Sequence, residues 1–439
     1  MRTRIAARLG GRPDAIEMHD YFARLARFFG RAKYDEFHVA LSRGRATHKI
    51  AYAVAHGAAR FRLTAFLAAL ILYLLLPGLR LFPDADVVFY GDTRNNRRAL
   101  DEVAALLDHR DDLRFGTAAK SAGAGYRLRQ SRALGLMWYA SAMIPKARGR
   151  GAFLSVQLLI GSAALAFYNI ELEAPTCRLI VLANDHSPLP TAIMFAARRH
   201  RIATVYRQHA PVTPAFPPLQ VDLALLYDEA SYAAYRQAAR NQPGSGNVEC
   251  AVAILSPFAD SPRPIAGTDD VQTVGICLPL AWEHEPLDAL VNELVAIGID
   301  SVVLRAHPAS QQDVGPLLNH SGVLQGAYGQ SVEAFAEAID LAIVPNSGVC
   351  VELLHLGIPT LYRAGMDVLG HDLYGFIEAG ILPDWTHRNI AEIAEAGDFF
   401  DAAWQGRFAR FDATQSRTLQ EMQIDAVEAL ESLIRRQAT

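Results

Sequence analysis

The chain has 439 residues, of which 51% are hydrophobic and 20% charged, and its formal net charge is −4. That length exceeds what one hydrophobic core fills and predicts two domains plus an appendage. The apolar content excludes a disordered chain, and the slightly acidic total excludes a general binder of nucleic acid.

Residues 1–62 hold thirteen Lys/Arg, Arg2, Arg4, Arg8 and Arg12 among them, against five Asp/Glu. This basic arm includes YFARLARFFGRAK, whose alternation of aromatics and cations fits a surface-lying helix or an ordinary amphipathic helix packed on a domain. It runs into Leu63–Leu79, a 17-residue stretch without charge that Pro77 and Gly78 would end. Three fates are open to that stretch: a buried core helix, an interfacial or re-entrant membrane helix, or a span at the bottom of the usual length range. The flanking cations favour the interfacial one, with an anionic lipid surface as partner through residues 1–80. The run starts too late for a cleaved signal peptide, and no small-residue cleavage site follows it.

From Asp84 onward short apolar runs alternate with helical ones, the pattern of α/β domains with parallel sheets. Asp86–Tyr90 reads as a strand and Arg97–Leu107 as a helix. GAFLSVQLLIGSAALAFYNI fits a second lipid-facing element or a buried helix, and Gly161 and Ser162 at its centre favour the buried helix. Strands follow at Arg178–Ala183, Ile202–Tyr206, Val221–Tyr227 and Cys250–Leu255, with helices at Thr191–His200 and Glu229–Arg240. Loops leaving the carboxyl ends of parallel strands line the ligand crevice, which directs Asp185, His186, Arg207, Gln208 and His209 to one cleft. The plainer alternative makes Asp185 a helix cap and His209 a hydrogen-bonded loop residue. NQPGSGN at 241–247 is a turn, and SPFADSPRPIAGTDD at 256–270 has the proline and glycine density of an interdomain linker.

The second half restarts with strand Thr273–Leu278, helix Leu287–Ile297 and strand Ser301–Arg305, which ends in LRAHP. Strand Leu341–Val344, the turn Pro345–Gly348, helix Val349–Leu356 capped by Gly357, and strand Thr360–Tyr362 form its clearest unit. A small-residue turn at a helix start predicts free backbone N–H groups for an anion, with the Ser347 hydroxyl beside them.

The HP pair His307-Pro308 after a strand, a serine-containing turn and VELLHLGIPTL together resemble the nucleotide-binding half of GT-B glycosyltransferases. The patterns most similar belong to bacterial sialyltransferases and Kdo transferases of capsule and lipooligosaccharide assembly, and CDP-glycerol glycerophosphotransferases look similar too. The resemblance covers roughly residues 177–365 and implies two Rossmann-like parallel-sheet domains facing an interdomain cleft. Residues 1–83 would be a helical extension, 84–262 the acceptor domain and 263–439 the nucleotide-donor domain with a closing helix. It further implies donor contacts from Arg305, His307, Pro308, Asn346, Ser347 and Gly348. Glu352 would hold a donor hydroxyl or ribose, its alternative being a solvated first-turn carboxylate. Arg207, Gln208 and His209 fall on the acceptor side. Asp185 is the expected general base, with His186 and His209 as alternatives, and His307 meets the leaving phosphate.

Two departures stand out: Asn346-Ser347-Gly348 occupies the place where many relatives show paired serines, and no DDG-like acidic motif is present. The donor the resemblance implies is a CMP-activated ulosonic acid, sialic acid or Kdo, and the acceptor a cell-surface glycan or glycolipid. A CDP-alditol phosphotransferase, a UDP-sugar transferase or epimerase, and a non-catalytic envelope-polysaccharide protein are the alternatives. There is no GxxxxGK, GxGxxG, HExxH or GxSxG signature. Asp84-Ala85-Asp86 precedes a strand where a metal-binding DxD would follow one, so neither metal nor cofactor is expected. Cys177, Cys250, Cys277 and Cys350 lack zinc or CxxC spacing and read as reduced thiols of a cytoplasmic protein, peripheral or monotopic on the inner face of a membrane.

Overall fold

A computed structural model of the chain describes residues 13–30, 46–91, 93–147, 151–173, 177–242, 249–308, 310, 312–326, 330–367 and 372–438. Arg2, Arg4, Arg8 and Arg12 of the basic arm, the stretch 31–45, Asp92 and most of the 241–247 turn lie outside the described residues.

The first domain opens with helices α1 (Pro13–Phe29), α2 (Ala46–Ala58) and α3 (Arg62–Leu75). Then come β1 (Val87–Tyr90), α4 (Arg94–Leu106), β2 (Phe115–Thr117), α5 (Ala124–Leu128), α6 (Ser131–Ala140) and α7 (Ala152–Glu171). It continues through β3 (Leu179–Leu182), α8 (Pro188–Arg199), β4 (Ala203–Arg207), β5 (Leu223–Leu226), α9 (Glu229–Asn241) and β6 (Ala251–Ile254). The six strands form one parallel sheet in the order β2-β1-β3-β4-β5-β6.

The second domain contains β7 (Thr273–Cys277), α10 (His284–Ala296), β8 (Ser301–Arg305), β9 (Val323–Gln325), β10 (Leu341–Val344), α11 (Val349–His355) and β11 (Thr360–Tyr362). Its parallel sheet runs β11-β10-β7-β8-β9. The molecule therefore has the two Rossmann-like domains of the GT-B architecture. The central strands are apolar along their whole length because helices cover both faces of each sheet. Gly357 ends α11 at φ +83°, with the linker carbonyl of Pro264 2.5 Å from where a Cβ would stand, so the site demands glycine twice over.

Three features bear on the sequence expectations, the first two choosing among readings left open there and the third departing from them. Helix α1, which carries the aromatic and cationic alternation, lies in the core of the first domain: Tyr21, Phe22, Leu25, Phe28 and Phe29 are buried against α7 and α8. Its Tyr21 hydroxyl donates to the carbonyl of Pro188 at 2.9 Å. Gly161 permits this packing, since a Cβ there would sit 2.7 Å from both Leu25 Cδ1 and the Tyr21 oxygen.

Secondly, α3 has 14 residues, about 21 Å of helix, too short to span a bilayer. It is buried only along Ala65, Ala69 and Tyr73. Helix α7 is long and apolar enough to cross a membrane, yet 72% of its apolar window is buried inside the domain, as expected for a core helix.

Thirdly, the last helix, α12 (Leu419–Ala438), returns to the first domain. Its Met422, Ala426, Leu430, Leu433 and Ile434 share one core with Val87, Val181, Val205 and Leu225. Both ends of the described chain thus complete the first domain instead of forming an extension and the end of the second.

Candidate functional site

The loops after β3, β4, β8 and β10 open into one cleft of about 1490 Å³, lined by both domains. His186, Ser187, Gln208, His209 and Pro211 border it from the first domain, and Arg305, His307, Pro308, Asn346, Ser347, Gly348 and Glu352 from the second. The loops read from the sequence as crevice loops meet at this cleft, although several of their side chains do other work there.

After β3 the chain turns on Asn184, whose Oδ1 accepts from the amides of His186 (3.1 Å) and Ser187 (2.9 Å). Pro188 then starts α8 with a φ already suited to a helix. This turn sends Asp185 inward and His186 outward. Asp185 is fully buried and does not line the cleft, so it cannot accept a proton from a substrate directly. Its carboxylate accepts from His186 Nδ1 at 3.0 Å and from the Tyr235 hydroxyl at 2.9 Å. Its backbone carbonyl accepts from Arg24 at 3.0 Å.

Burial alone would raise the Asp185 carboxyl, but the hydrogen bond and charge of His186, followed by Arg24 and Tyr235, hold it below its ordinary value. The Arg24 guanidinium is pushed down to about 10 by burial. With Nδ1 engaged by a carboxylate, the His186 imidazole carries its proton there and leaves Nε2 as an acceptor. Its ring lies 4.9 Å from Phe28 and 4.7 Å from Phe216, centroid to centroid, which fixes the plane.

The other acceptor-side candidates are committed to the scaffold. Arg207 is fully buried and does not line the cleft: it pairs with Glu102 at 2.7 Å, donates to the Leu255 carbonyl at 2.7 Å and stacks on Tyr227 at 4.8 Å. Gln208 is also buried, donating to Ser231 Oγ (2.9 Å) and the Ala210 carbonyl (3.0 Å) while accepting from the Tyr227 amide (2.9 Å). His209 is pushed down to about 4 by burial and then by the charge of His186, so it is neutral near pH 7. Arg207 ends β4, whose side chains alternate into the sheet's covering layers, and that periodicity was the signal for its burial.

On the facing wall Arg305 ends β8 half-buried, and its Nε has no hydrogen-bond partner among the described residues. Burial, and then the Arg305 charge, lowers His307 below its ordinary value. Burial raises Glu352, opposed by Arg305 and by Arg98 from α4 of the other domain. Arg98 also lines the cleft and was not identified from sequence, where it is one of several arginines on a helix whose other face is apolar.

The serine turn is tighter than expected. The amides of Val349, Cys350 and Val351 bond to Ser347 Oγ (3.4 Å), the Ser347 carbonyl (3.3 Å) and the Gly348 carbonyl (3.1 Å), so the anticipated row of free N–H groups is largely used within the turn. Asn346 accepts from the Leu373 amide at 2.7 Å and donates to Asp367 at 3.0 Å, tying the turn to the loop that follows β11. Gly348 faces Pro211 across the cleft floor: a Cβ on Gly348 would stand 2.5 Å from Pro211 Cγ. Among the described residues no group of three His, Cys, Asp or Glu side chains is placed to hold a metal ion.

No protein-family model matches the sequence, and no curated protein matches it. Solved structures are similar to this chain at low identity. The pneumococcal O-GlcNAc transferase GtfA, in complex with UDP and GlcNAc, is 9% identical over 62% of this chain and 60% of its own, with a TM-score of 0.38. The chain thus spans about three-fifths of the length of that protein. The calicheamicin glycosyltransferase CalG4 is 12% identical over 81% of this chain and 99% of its own, with a TM-score of 0.45. The wall teichoic acid polymerase TagF is 12% identical over 88% and 99%, with a TM-score of 0.42.

Proposed function

We propose that the protein is a glycosyltransferase that moves a sugar from a nucleotide-activated donor to a hydroxyl acceptor. The observation that carries this reading is the cleft itself. One wall presents His186 with an acceptor nitrogen and a buried carboxylate behind it, and the opposite wall presents Arg305 and His307, with Glu352 beside them. His186 Nε2 takes the acceptor hydroxyl proton as the new C–O bond forms at the anomeric carbon. The bond to the donor phosphate breaks, and its electron pair leaves with the nucleotide, where Arg305 and His307 meet the growing negative charge. The base of this reaction is His186, and Asp185 positions it.

The resemblance of the HP pair and serine turn favours a cytidine nucleotide, with a CMP-ulosonic acid as donor. Charge alone does not fix the number of phosphates, since Arg98 and Arg305 both line the cleft. The acceptor, a glycan or glycolipid, would enter past Phe28, Phe29, Phe153 and Phe216, an apolar lobe next to His186.

Thermal stabilisation by a nucleotide panel tests the reading. Saturation at a hundred times Kd adds about 2.7 kcal/mol. CMP and CDP should raise the melting temperature while UDP and GDP do not. Stabilisation by UDP alone would replace the donor, and stabilisation by none of the four would remove the nucleotide-sugar reading. Binding without turnover in the presence of acceptors would identify a binding protein that keeps the fold.

A further inference from the structure

Helix α3 displays Leu63, Leu67, Ile71 and Leu75 at intervals of four residues, each between 47% and 71% exposed. They form one stripe along the side opposite the buried Ala65, Ala69 and Tyr73. Neighbouring elements extend the stripe into a surface. Ile50 and Val54 are exposed on α2, Phe61 at the turn into α3, Leu128 at the end of α5, and Leu134 and Trp138 on α6. These helices pack side by side on α3. Phe66 meets Trp138 edge-on at 5.4 Å, and Tyr73 donates to Gln130 at 2.6 Å, which holds the surface in one piece. Scattered apolar side chains are ordinary on a protein, whereas a contiguous set on rigidly packed helices marks a docking surface.

The charge around this surface says what it docks against. Residues 37–83 and 113–170, which supply all of these helices, contain fourteen Lys/Arg and no Asp or Glu, in a chain whose 46 acidic residues outnumber its 42 basic ones. Arg60, Arg62 and Arg129 are exposed at the margin of the apolar stripe. The Arg62 guanidinium lies 4.1 Å over the Trp138 ring, a cation and an indole held together at the rim. Among the described carboxylates that border these segments, Asp84 pairs with Arg114 at 3.2 Å, Asp112 with Arg110 at 2.7 Å, and Glu171 accepts from the Tyr126 hydroxyl at 2.8 Å. An apolar face bordered by cations and indole matches the depth profile of an anionic bilayer, with hydrocarbon below and phosphates above.

We propose that the composite face of α2, α3, α5 and α6 seats the protein on an anionic lipid bilayer, with α3 lying in the membrane plane. The core-packed α1 takes no part. The proposal is independent of the transferase reading, because binding is read without nucleotide or acceptor.

Flotation of the full chain with vesicles of phosphatidylglycerol and phosphatidylcholine, and with phosphatidylcholine alone, is the test. The parent should float with the anionic vesicles and be partly released at high salt. L67E/I71E should melt like the parent, because both side chains are exposed, yet partition at least about tenfold more weakly. R60A/R129A should weaken binding to the anionic vesicles alone, by about fivefold per cation. A parent that stays unbound overturns the proposal, as does L67E/I71E floating like the parent. So does a parent that sediments as a dimer, ignores vesicles and becomes monomeric in L67E/I71E, since the face would then be covered by a second copy.

Discussion

Asp185→Asn should abolish the base without moving it. In the parent the carboxylate accepts from His186 Nδ1 at 3.0 Å and from the Tyr235 hydroxyl at 2.9 Å, so the imidazole keeps its lone pair on Nε2. An asparagine of the same shape retains an oxygen for Tyr235 and turns its NH2 toward His186. That selects the opposite tautomer, with the proton on Nε2 and no acceptor facing the cleft. General-base catalysis contributes about 10²- to 10⁴-fold, and kcat should fall by that much. In the proposed reaction the donor is held across the cleft by Arg305 and His307, so its affinity should stay within a factor of about two. The melting temperature should drop as well, because the buried Arg24 guanidinium loses the opposite charge of Asp185. His186→Ala provides the control, since it leaves that buried charge in place. Residues that act as one unit are not additive, so D185N/H186A should be no slower than H186A. The assay is steady-state transfer with the donor found by thermal shift, together with nucleotide binding to each variant. Parental kcat in D185N, or a double variant far slower than H186A, would refute the dyad.

Arg305→Ala and His307→Ala should each remove nucleotide-linked stabilisation while the unliganded melting temperature changes little; unchanged stabilisation by the nucleotide would take that residue out of the site. Gly348→Val should wedge the serine turn against Pro211 and widen the cleft, raising the donor KM with the fold intact by circular dichroism; an unaltered KM would show that this contact does not set the closed distance. Burial pushes Asp228 up to about 7, so its contribution to stability is fully present below the unfolded carboxyl value near 4 and is lost as pH rises toward 7. Asp228→Asn keeps an N-cap for α9 and should flatten that part of the melting-temperature profile; an unchanged slope would place the ionisation elsewhere.

The strands at 301–305, 341–344 and 360–362 were legible to the residue, because a parallel strand covered on both faces is a short unbroken apolar run between turn signals. The edge strands β2 and β9 were not, since three mostly exposed residues such as Phe115–Thr117 carry no such run. Within the site, chain order placed the crevice loops but not the side chains. Whether Asp185 or His186 meets substrate depends on one Asn184 turn, and whether Arg207 reaches solvent depends on Glu102, 105 residues away. The packing of α1 was left open between two readings for a related reason: Arg24 suggests an exposed face until Pro218 and Asp185 supply carbonyls for its guanidinium.

Helix α7 connects the two surfaces that matter. Its first turns contribute Phe153 and Gln157 to the cleft beside Phe28, Phe29 and His186. The same turns hold α2, through Tyr52 against the Phe153 ring at 6.1 Å and His56 Nδ1 to Ser155 Oγ at 3.1 Å. The outer side of α2 carries the exposed Ile50 and Val54 of the docking face. Helix α2 therefore lies between the turns of α7 that line the apolar lobe of the cleft and the surface proposed to meet lipid. An acceptor anchored in the bilayer could present its hydroxyl to His186 while its tail stayed in the membrane, and such an acceptor would gain from vesicle binding in a way that a free glycan would not. Transfer to a lipid-linked acceptor should thus be lost in L67E/I71E while nucleotide-linked stabilisation persists, and equal transfer by both proteins would disconnect the docking face from the chemistry.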